Sequence, residues 1–316
     1  MERYAPSIKD LAPRDMVSRA IATEISEGNG AGPNNDFVYL DLTHLGAETI
    51  KQKLPDITDF VRTYVKIEPI DEPIPVQPTA HYAMGGIPTD VDARVLSDAN
   101  GTILPGVYSA GESACVSVHG ANRLGSNSLI DLVVFGKAAA KRAAELVKPN
   151  TPHEDSPQSE VDKCLDRFDK IRNSKGETNT SQLRLSMQKT MQSKCAVFRT
   201  EKTLKEGVDE IRKPFEGLED ISVKDKSLLF NTDLVESLEF DNLIRQAMTT
   251  MDSAYHRKES RGAHAREDFS KRDDKKFMKH TLAWQNGKEV KVKYRDVHAR
   301  TLTNDVQYFP PKERVY

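Results

Sequence analysis

Residues 149–160 form a linker rich in proline, serine and acidic side chains, and the pattern of apolar residues differs on its two sides. Before this linker, stretches with strand character alternate with helical stretches that glycines and prolines interrupt, which is typical of a mixed α/β fold. After it, apolar residues recur at helical spacing, as at Leu183, Met187, Met191 and Cys195. Such spacing is typical of a bundle core. The pattern predicts a mixed α/β part followed by a helical part.

Turn and periodicity signals predict individual elements. A helix is predicted at residues 15–25, a strand at 37–40, and a hairpin whose turn is Asn100-Gly101. Residues 107–110 are predicted to form a short buried strand, and residues 121–147 a turn followed by a long apolar helix. The tail predicts two strands around Asn286-Gly287. The remaining apolar positions predicted to be buried are Leu129, Leu132, Val133 and Phe135, then Leu165, Phe168 and Ile171, then Leu234, Leu238 and Leu243.

Composition narrows the class of protein. Among 316 residues, 46 Lys plus Arg face 48 Asp plus Glu, so the net charge is −2 and argues against a nucleic-acid partner. No apolar run approaches the length of about 18 residues that spans a bilayer, and the first residues do not resemble a signal peptide. Cys115, Cys164 and Cys195 lack metal-site spacing, so we expect reduced thiols and no metal site.

Residues 256–279 are densely charged, with nine Lys or Arg against five Asp or Glu. A tract of mixed sign usually forms a solvated face or an interface. We therefore expect this tract at the surface.

Three glycine-containing segments carry the strongest chemical signals. Gly85-Gly86 permits close approach of backbones, although an ordinary turn needs the same residues. Ala110-Gly111-Glu112 resembles the end of a strand whose acidic residue hydrogen-bonds the ribose of a nucleotide. Gly125-Ser126-Asn127-Ser128 offers either helix capping or backbone N–H donors for an anionic or carbonyl-rich ligand. Ahead of it, Arg123 carries a planar fork of donors that suits a carboxylate.

Together these segments closely resemble the flavoprotein subunit of succinate dehydrogenase (respiratory complex II) and its relative fumarate reductase. The main resembling segments are residues 81–86, 110–112, 116–136, 259–264, 272–274 and 310–312, with shorter matches at 2–6, 18–20, 39–42 and 73–76. The motifs at His81 and residues 119–129 are shared with L-aspartate oxidase. That enzyme and fumarate reductase therefore remain alternative activities, and a non-catalytic structural or assembly fragment is a third alternative.

The resemblance implies a mixed α/β and α fold, divided into four regions. They are the remainder of a capping domain at 1–79, the closing part of a Rossmann-like FAD-binding fold at 80–150, a helical-bundle domain at 158–255 and a small α+β domain at 256–316.

Only the C-terminal half of the family's subunit is covered. The Gly-x-Gly-x-x-Gly fingerprint, the histidine that carries covalent FAD and the capping-domain His, Thr and Glu that help to hold the dicarboxylate are not in this sequence. We therefore expect a split subunit, in which a separate polypeptide supplies the N-terminal FAD-binding half and is required for activity.

The resemblance also implies an oxidation of succinate to fumarate, with FAD as cofactor. By motif, Arg14 matches the proton-shuttling arginine, and His81 with Arg123 holds the substrate carboxylates. Glu112 matches the FAD ribose ligand, and Ser128 with Leu129 matches backbone contacts near the flavin ring. Chemistry alone would choose His81 or His119 as the base, because a free guanidinium is a very weak acid.

The partners implied are an iron–sulfur subunit, assigned to the charged tract 256–279, and membrane anchor subunits reached through the complex. Electrons would leave through the iron–sulfur subunit to a quinone, linking the tricarboxylic acid cycle to electron transport. The expected location is the matrix side of the mitochondrial inner membrane, peripherally bound, with the cytoplasmic face of a bacterial membrane as the alternative.

Overall fold

The computed structural model describes residues 1–152, 154–301 and 303–312. The chain divides into two compact units, residues 1–81 and 82–316. The first unit contains α1 (Arg14–Ser26), β1 (Val38–Leu40), α2 (Ala47–Lys53), α3 (Pro55–Tyr64) and β2 (Ile74–Val76). The mixed α/β part of the second unit contains β3 (Ile87–Pro88), β4 (Arg94–Leu96), β5 (Ile103–Tyr108), β6 (Ala114–Cys115) and α4 (Asn127–Leu146).

Prolines and glycines set the element boundaries of the first unit. Pro13 lies directly before α1 and Gly28 follows its end, as the predicted helix requires. Pro55 occupies the first position of α3, where its missing N–H costs nothing, and so separates α3 from α2. In the proline-rich stretch at 69–78, residues 69–72 form a turn, closed by the Asp71 and Glu72 N–H groups on the Glu68 carbonyl. The extended part that follows contains β2, which pairs with β1 in antiparallel register, Tyr39 opposite Pro75.

The second unit begins with short paired strands. Strands β4 and β5 form the predicted antiparallel hairpin around Asn100-Gly101, while β3 pairs in parallel with β6. The prediction of a separate buried strand at 107–110 is wrong. Val107 and Tyr108 are the last two residues of β5, Ser109 and Ala110 follow the strand, and Val107 is exposed.

Helix α4 forms as predicted, but its predicted core is wrong. Leu129 is 67% exposed and Val133 is 70% exposed, and Leu132 is exposed as well. The one buried residue of the helix is Asp131, at 5% exposure. No element among residues 82–152, 154–301 and 303–312 covers this apolar face.

The helical part of the second unit has a dense core. Its helices are α5 (Gln158–Arg172), α6 (Thr180–Lys194), α7 (Glu201–Glu210), α8 (Arg212–Glu216) and α9 (Thr232–His256). As predicted, Leu183, Met187 and Cys195 are buried in this core, with Met191 packed against it. They pack with residues of α7 and α9, among them Leu204, Phe240, Ile244, Met248 and Met251.

Two predicted apolar stripes differ from the structure. On α9, Leu234 is buried but Leu243 is exposed, because the buried side of the helix passes through Phe240 and Ile244, one position away. A shift of one residue turns a helix by about 100°, which is enough to leave the core. On α5 no described residue is fully buried and Leu165 is exposed, but Phe168 is half-buried and Ile171 packs against the core as predicted.

The chain continues with α10 (Asp274–Phe277) and a hairpin of β7 (Lys279–Asn286) and β8 (Glu289–Asp296). This confirms the two strands predicted in the tail. Among the described residues, no helix has the length and apolar character needed to cross a membrane.

The charged tract at 256–279 is not simply a solvated face, and that prediction is wrong for its central residues. The Glu259 side chain is 0% exposed and accepts hydrogen bonds from Arg257 at 2.7 and 2.9 Å and from Arg261 at 2.7 and 3.0 Å. Arg266 is also fully buried and bonds Asp268 and Glu201. We call Arg257, Glu259, Arg261 and Arg266, with their partners Asp268 and Glu201, the ion cluster.

His264 makes the stability of this region depend on pH. Burial lowers the pKa of its imidazole to about 4, and nearby Arg199, Arg266 and Arg257 oppose a further positive charge. Arg199 Nη1 donates to Nδ1 at 2.8 Å and Nε2 donates to the Arg257 carbonyl at 2.9 Å, so the ring is held neutral.

The stabilising contribution of His264 is present above the unfolded pKa of about 6.5 and is lost as pH falls towards 4. We expect a loss of about 3 kcal/mol in the free energy of unfolding over this range. Urea denaturation of the wild type and of His264→Gln at pH 7, 5 and 4 measures it, with exposed His298→Gln as control. An equal pH dependence in His264→Gln and wild type would contradict the prediction.

Candidate functional site

Arg123 is held by two neighbours in the loop that precedes α4. Its guanidinium carbon lies 4.2 Å from the centre of the Tyr82 ring, in stacking distance. Its Nη1 donates to the Ser128 Oγ. The two contacts fix the plane of a side chain that would otherwise rotate freely, and such a fixed fork suits a planar carboxylate.

Tyr82 connects Arg123 to a partly buried histidine and a buried acid. The Tyr82 hydroxyl lies 3.4 Å from His119 Nε2, which also lies 3.0 Å from Asp131 Oδ2. An ionised carboxylate only accepts, so Nε2 carries the proton in this pair. Burial raises the pKa of the Tyr82 phenol, and the charges of Asp131 and Glu112 act in the same direction. Tyr82 therefore stays neutral at physiological pH and stacks as a neutral ring.

Glu112 lies in a 3₁₀ turn, Gly111–Ser113, directly before β6. Its Oε1 accepts the Ala83 N–H at 3.1 Å. Its side chain is otherwise exposed, which leaves acceptor capacity for a hydroxyl-bearing ligand.

Gly86 is required by the packing of this turn. Its φ is +129°, and a Cβ built there would lie 2.6 Å from the Ser113 carbonyl oxygen. The predicted close backbone approach is therefore confirmed at Gly86, whereas a Cβ at Gly85 would meet no atom within 4 Å. The approach at Gly86 lets β3 pair with β6 beside Glu112.

The start of α4 differs from the predicted capped helix. Ser126 has a left-handed backbone with φ +67° and makes no side-chain cap. The Leu129 N–H donates to the Ser126 carbonyl at 3.1 Å, and the Leu129 side chain is exposed. The Asn127 N–H likewise donates to the Leu124 carbonyl at 3.2 Å, so the helix start has no side-chain cap but two of its first backbone donors are already bonded. The positive end of the helix dipole lies there beside apolar surface.

Arg14 and His81 belong to the first unit. Arg14 is the first residue of α1, and both side chains are exposed. The structure thus brings Arg123 and Ser128 into direct contact, with Glu112 bonded to the residue after Tyr82.

Sequence reasoning did not assign functions to Tyr82 and Asp131. A signal for Asp131 exists, since it is the one acid within the apolar run Leu129 to Val134. A carboxylate at such a position is costly unless a buried partner meets it, and His119 is that partner. For Tyr82, the one signal in the sequence is its position next to His81.

The described residues fit FAD. The positive end of the α4 dipole suits carbonyl oxygens, Glu112 supplies an exposed acceptor suited to ribose hydroxyls, and Leu124 and Leu129 supply exposed apolar surface for a ring. Within the described parts of the chain, no cluster of three or more His, Cys, Asp or Glu side chains is arranged to hold a metal ion.

Two family models match the chain. The FAD binding domain model matches residues 2–129, and the model described as fumarate reductase flavoprotein C-term matches residues 184–316. FAD is therefore the cofactor that the family match supports, in agreement with the sequence-based prediction.

Curated relatives agree with these matches. The mitochondrial succinate dehydrogenase [ubiquinone] flavoprotein subunit of Oryza sativa is 50% identical over 100% of this chain and 51% of its own length. The succinate dehydrogenase flavoprotein subunit of Rickettsia bellii is 51% identical over 100% of this chain and 54% of its own length. The chain thus spans about half the length of the curated relatives that it matches.

A solved structure of E. coli quinol fumarate reductase (FrdA) superimposes with a TM-score of 0.83 and 37% identity, covering 97% of this chain and 51% of that chain. The mixed α/β flavoprotein fold with helical content is thereby confirmed. The chain is homologous to the flavoprotein subunits of succinate dehydrogenase and fumarate reductase, and it corresponds to about half of such a subunit.

Proposed function

We propose that the chain forms the C-terminal half of a succinate dehydrogenase flavoprotein, which oxidises succinate to fumarate. The observation that carries this proposal is Arg123, stacked on Tyr82 and bonded to Ser128 in a chain homologous to succinate dehydrogenase flavoproteins. An arginine fixed in this way is prepared to bind a carboxylate without losing further rotational freedom.

The reaction removes a hydride from one carbon of succinate and a proton from the adjacent carbon. FAD, when bound, supplies the hydride acceptor. By the family motif, Arg123 is assigned to pair with one substrate carboxylate and His81 to donate to the other. Arg14 receives the departing proton. A guanidinium can do so only after passing one of its own protons to a relay, and this is why Arg14 acts as a shuttle and not as a simple base.

Cofactor contacts are assigned to the second unit. Glu112 would accept from the ribose hydroxyls, and the backbone at Ser128 and Leu129 would contact the ring system. The support for this assignment is the exposed carboxylate of Glu112 and the uncapped helix start.

The apolar face of α4 supports a further protein segment as partner. Leu129 and Val133 lie there with most of their surface exposed, an arrangement that marks an interaction surface. We assign this face to an N-terminal FAD-binding half, carried by a separate polypeptide. An iron–sulfur subunit at the exposed part of residues 256–279, membrane anchor subunits, quinone reduction and a location on the matrix side of the mitochondrial inner membrane belong to the same proposal.

Fumarate reductase is the second candidate activity. The structural similarity to E. coli quinol fumarate reductase favours it, since the same fold serves an enzyme named for the reverse direction. Direction depends on flavin potential and quinone, which are properties of the assembled complex.

The deciding experiment is co-expression with an N-terminal FAD-binding half, followed by purification and assays with succinate, fumarate and aspartate. Co-purification, bound FAD and succinate oxidation are expected. A stable chain that binds neither the second polypeptide nor FAD would overturn the proposal. Turnover of fumarate or aspartate without succinate oxidation would assign the protein to the alternative activity.

Arg123→Ala is expected to weaken succinate binding in the assembled protein by about 3 kcal/mol, because a substrate carboxylate loses its charged partner. Titration of the flavin absorbance with succinate measures the dissociation constant. Arg167→Ala, which removes an exposed arginine paired with Asp241 on the helical part, is the control and should change little. A dissociation constant that is unchanged in Arg123→Ala would refute the role of Arg123.

A further inference from the structure

The loop that carries Arg123 is attached to a distant part of the chain by its backbone. The Ala263 N–H donates to the Ala121 carbonyl at 2.9 Å. Gly262 has φ +58°, and a Cβ built there would lie 2.3 Å from the Ala121 carbonyl oxygen and 2.5 Å from its carbon. Any side chain at Gly262 must therefore displace Ala121, which is two residues from Arg123.

A second attachment lies at the beginning of the same loop. Ser117 Oγ and His280 Nε2 are 3.1 Å apart, which joins the loop to β7. The stretch 117–123 is thus held at two points by residues of the C-terminal region.

The attaching segment is itself rigid. The fully buried Glu259 bonds both Arg257 and Arg261, and it also accepts the Asp273 N–H at 2.9 Å. A backbone bridge joins Arg261 to His264 across the turn that contains Gly262. Buried and fully bonded charges resist displacement, so the turn is a firm support.

We propose that Gly262 and Ala263 are positioning residues for substrate binding, which act by holding the Ala121 backbone so that Arg123 stays stacked on Tyr82. This inference rests on the proposed role of Arg123 as a carboxylate ligand. It gives the segment at 259–264 a function in substrate affinity in addition to its packing.

Gly262→Ala tests the proposal against a matched control, Gly287→Ala. Both glycines have a left-handed backbone, with φ +58° and φ +57°, but a Cβ at Gly287 meets no atom within 4 Å. In the assembled protein, Gly262→Ala should raise the KM for succinate about tenfold with unchanged FAD content and a smaller change in kcat, while Gly287→Ala leaves KM unchanged. Equal KM values in the two variants would overturn the proposal.

Hydrogen exchange measured by mass spectrometry gives a readout that is independent of turnover. Deuterium uptake across residues 117–129 should rise in Gly262→Ala and not in Gly287→Ala. Ser117→Ala removes one hydrogen bond and adds no atoms, so it serves as the test variant if Gly262→Ala does not fold. It should raise deuterium uptake across the same residues, but by less than Gly262→Ala. Unchanged uptake in the folded variants would overturn the proposal.

A double-mutant cycle separates positioning from a general loss of structure. In an Arg123→Ala background, Gly262→Ala should weaken succinate binding no further, because the two changes act through the same side chain. If Gly262→Ala weakens succinate binding as much in the Arg123→Ala background as it does in the wild type, the proposal is overturned. If the wild type does not bind succinate, the proposed function fails, and the deuterium uptake alone decides whether the loop is held by Gly262.

Discussion

Arg14→Gln in the assembled protein is expected to lower kcat for succinate oxidation by about 10³-fold, while flavin content and dicarboxylate binding persist. The change removes the group that carries the substrate proton away, and positioned proton transfer contributes about 10²–10⁴-fold to a rate. Arg14→Lys should fail as well, because a compact ammonium reaches neither the same position nor the same relay. Steady-state turnover measures kcat, and a succinate titration of the flavin absorbance measures the dissociation constant of the substrate.

Arg62→Gln is the matched control for this substitution. Arg62 lies on α3 of the same unit, is exposed, and pairs with Glu68 at 2.6 Å. Its loss should leave kcat within about twofold of wild type, as surface changes of about 0.5 kcal/mol do. Turnover near the wild-type rate in either Arg14 variant would remove Arg14 from the proton path.

Glu259→Gln should cause the largest loss of stability, about 3–5 kcal/mol in the free energy of unfolding. The carboxylate is fully buried between Arg257 and Arg261, so its neutralisation leaves two guanidinium groups without their full counter-charge. Chemical denaturation of the purified protein measures the loss.

Glu267→Gln makes the same chemical change eight residues away, at an exposed position of the same tract. It should alter the free energy of unfolding by no more than about 0.5 kcal/mol. Similar stability of the Glu259 and Glu267 variants would show that the ion cluster contributes nothing to the fold.

The positions of most helices and of two hairpins were predictable because local signals decide them, whereas the strand predicted at 107–110 merged with β5. Pro55 separates α2 from α3, and Asn100-Gly101 makes the hairpin of β4 and β5, whatever packs around them. Burial was less predictable. Leu129 and Val133 have the composition of a core, but burial requires a second surface, and the described residues of this chain provide none for that face.

In the charged tract at residues 256–279 the error is the reverse, because residues predicted to be exposed are buried. Its composition predicts solvent exposure, yet Glu259 is enclosed because Arg257 and Arg261, two residues to either side, both turn towards it. No pattern of charge along the sequence distinguishes this arrangement from a solvated one. At the candidate site, Arg123 was predicted from its motif, whereas the stacking partner Tyr82 and the contact of His119 with the buried Asp131 depend on three-dimensional placement.

The contact between Ser117 and His280 joins residues that are 163 positions apart in the sequence. A ribosome synthesises a chain from its N-terminus at about 5–20 residues per second, so this contact cannot form until β7 has emerged. The loop that carries Arg123 is synthesised well before β7, and it reaches its final shape only after β7 has followed it. Contacts between residues far apart in the sequence form slowly during folding. A nascent chain that stalls before β7 would therefore lack the contact of Ser117 with His280 that holds the loop carrying Arg123.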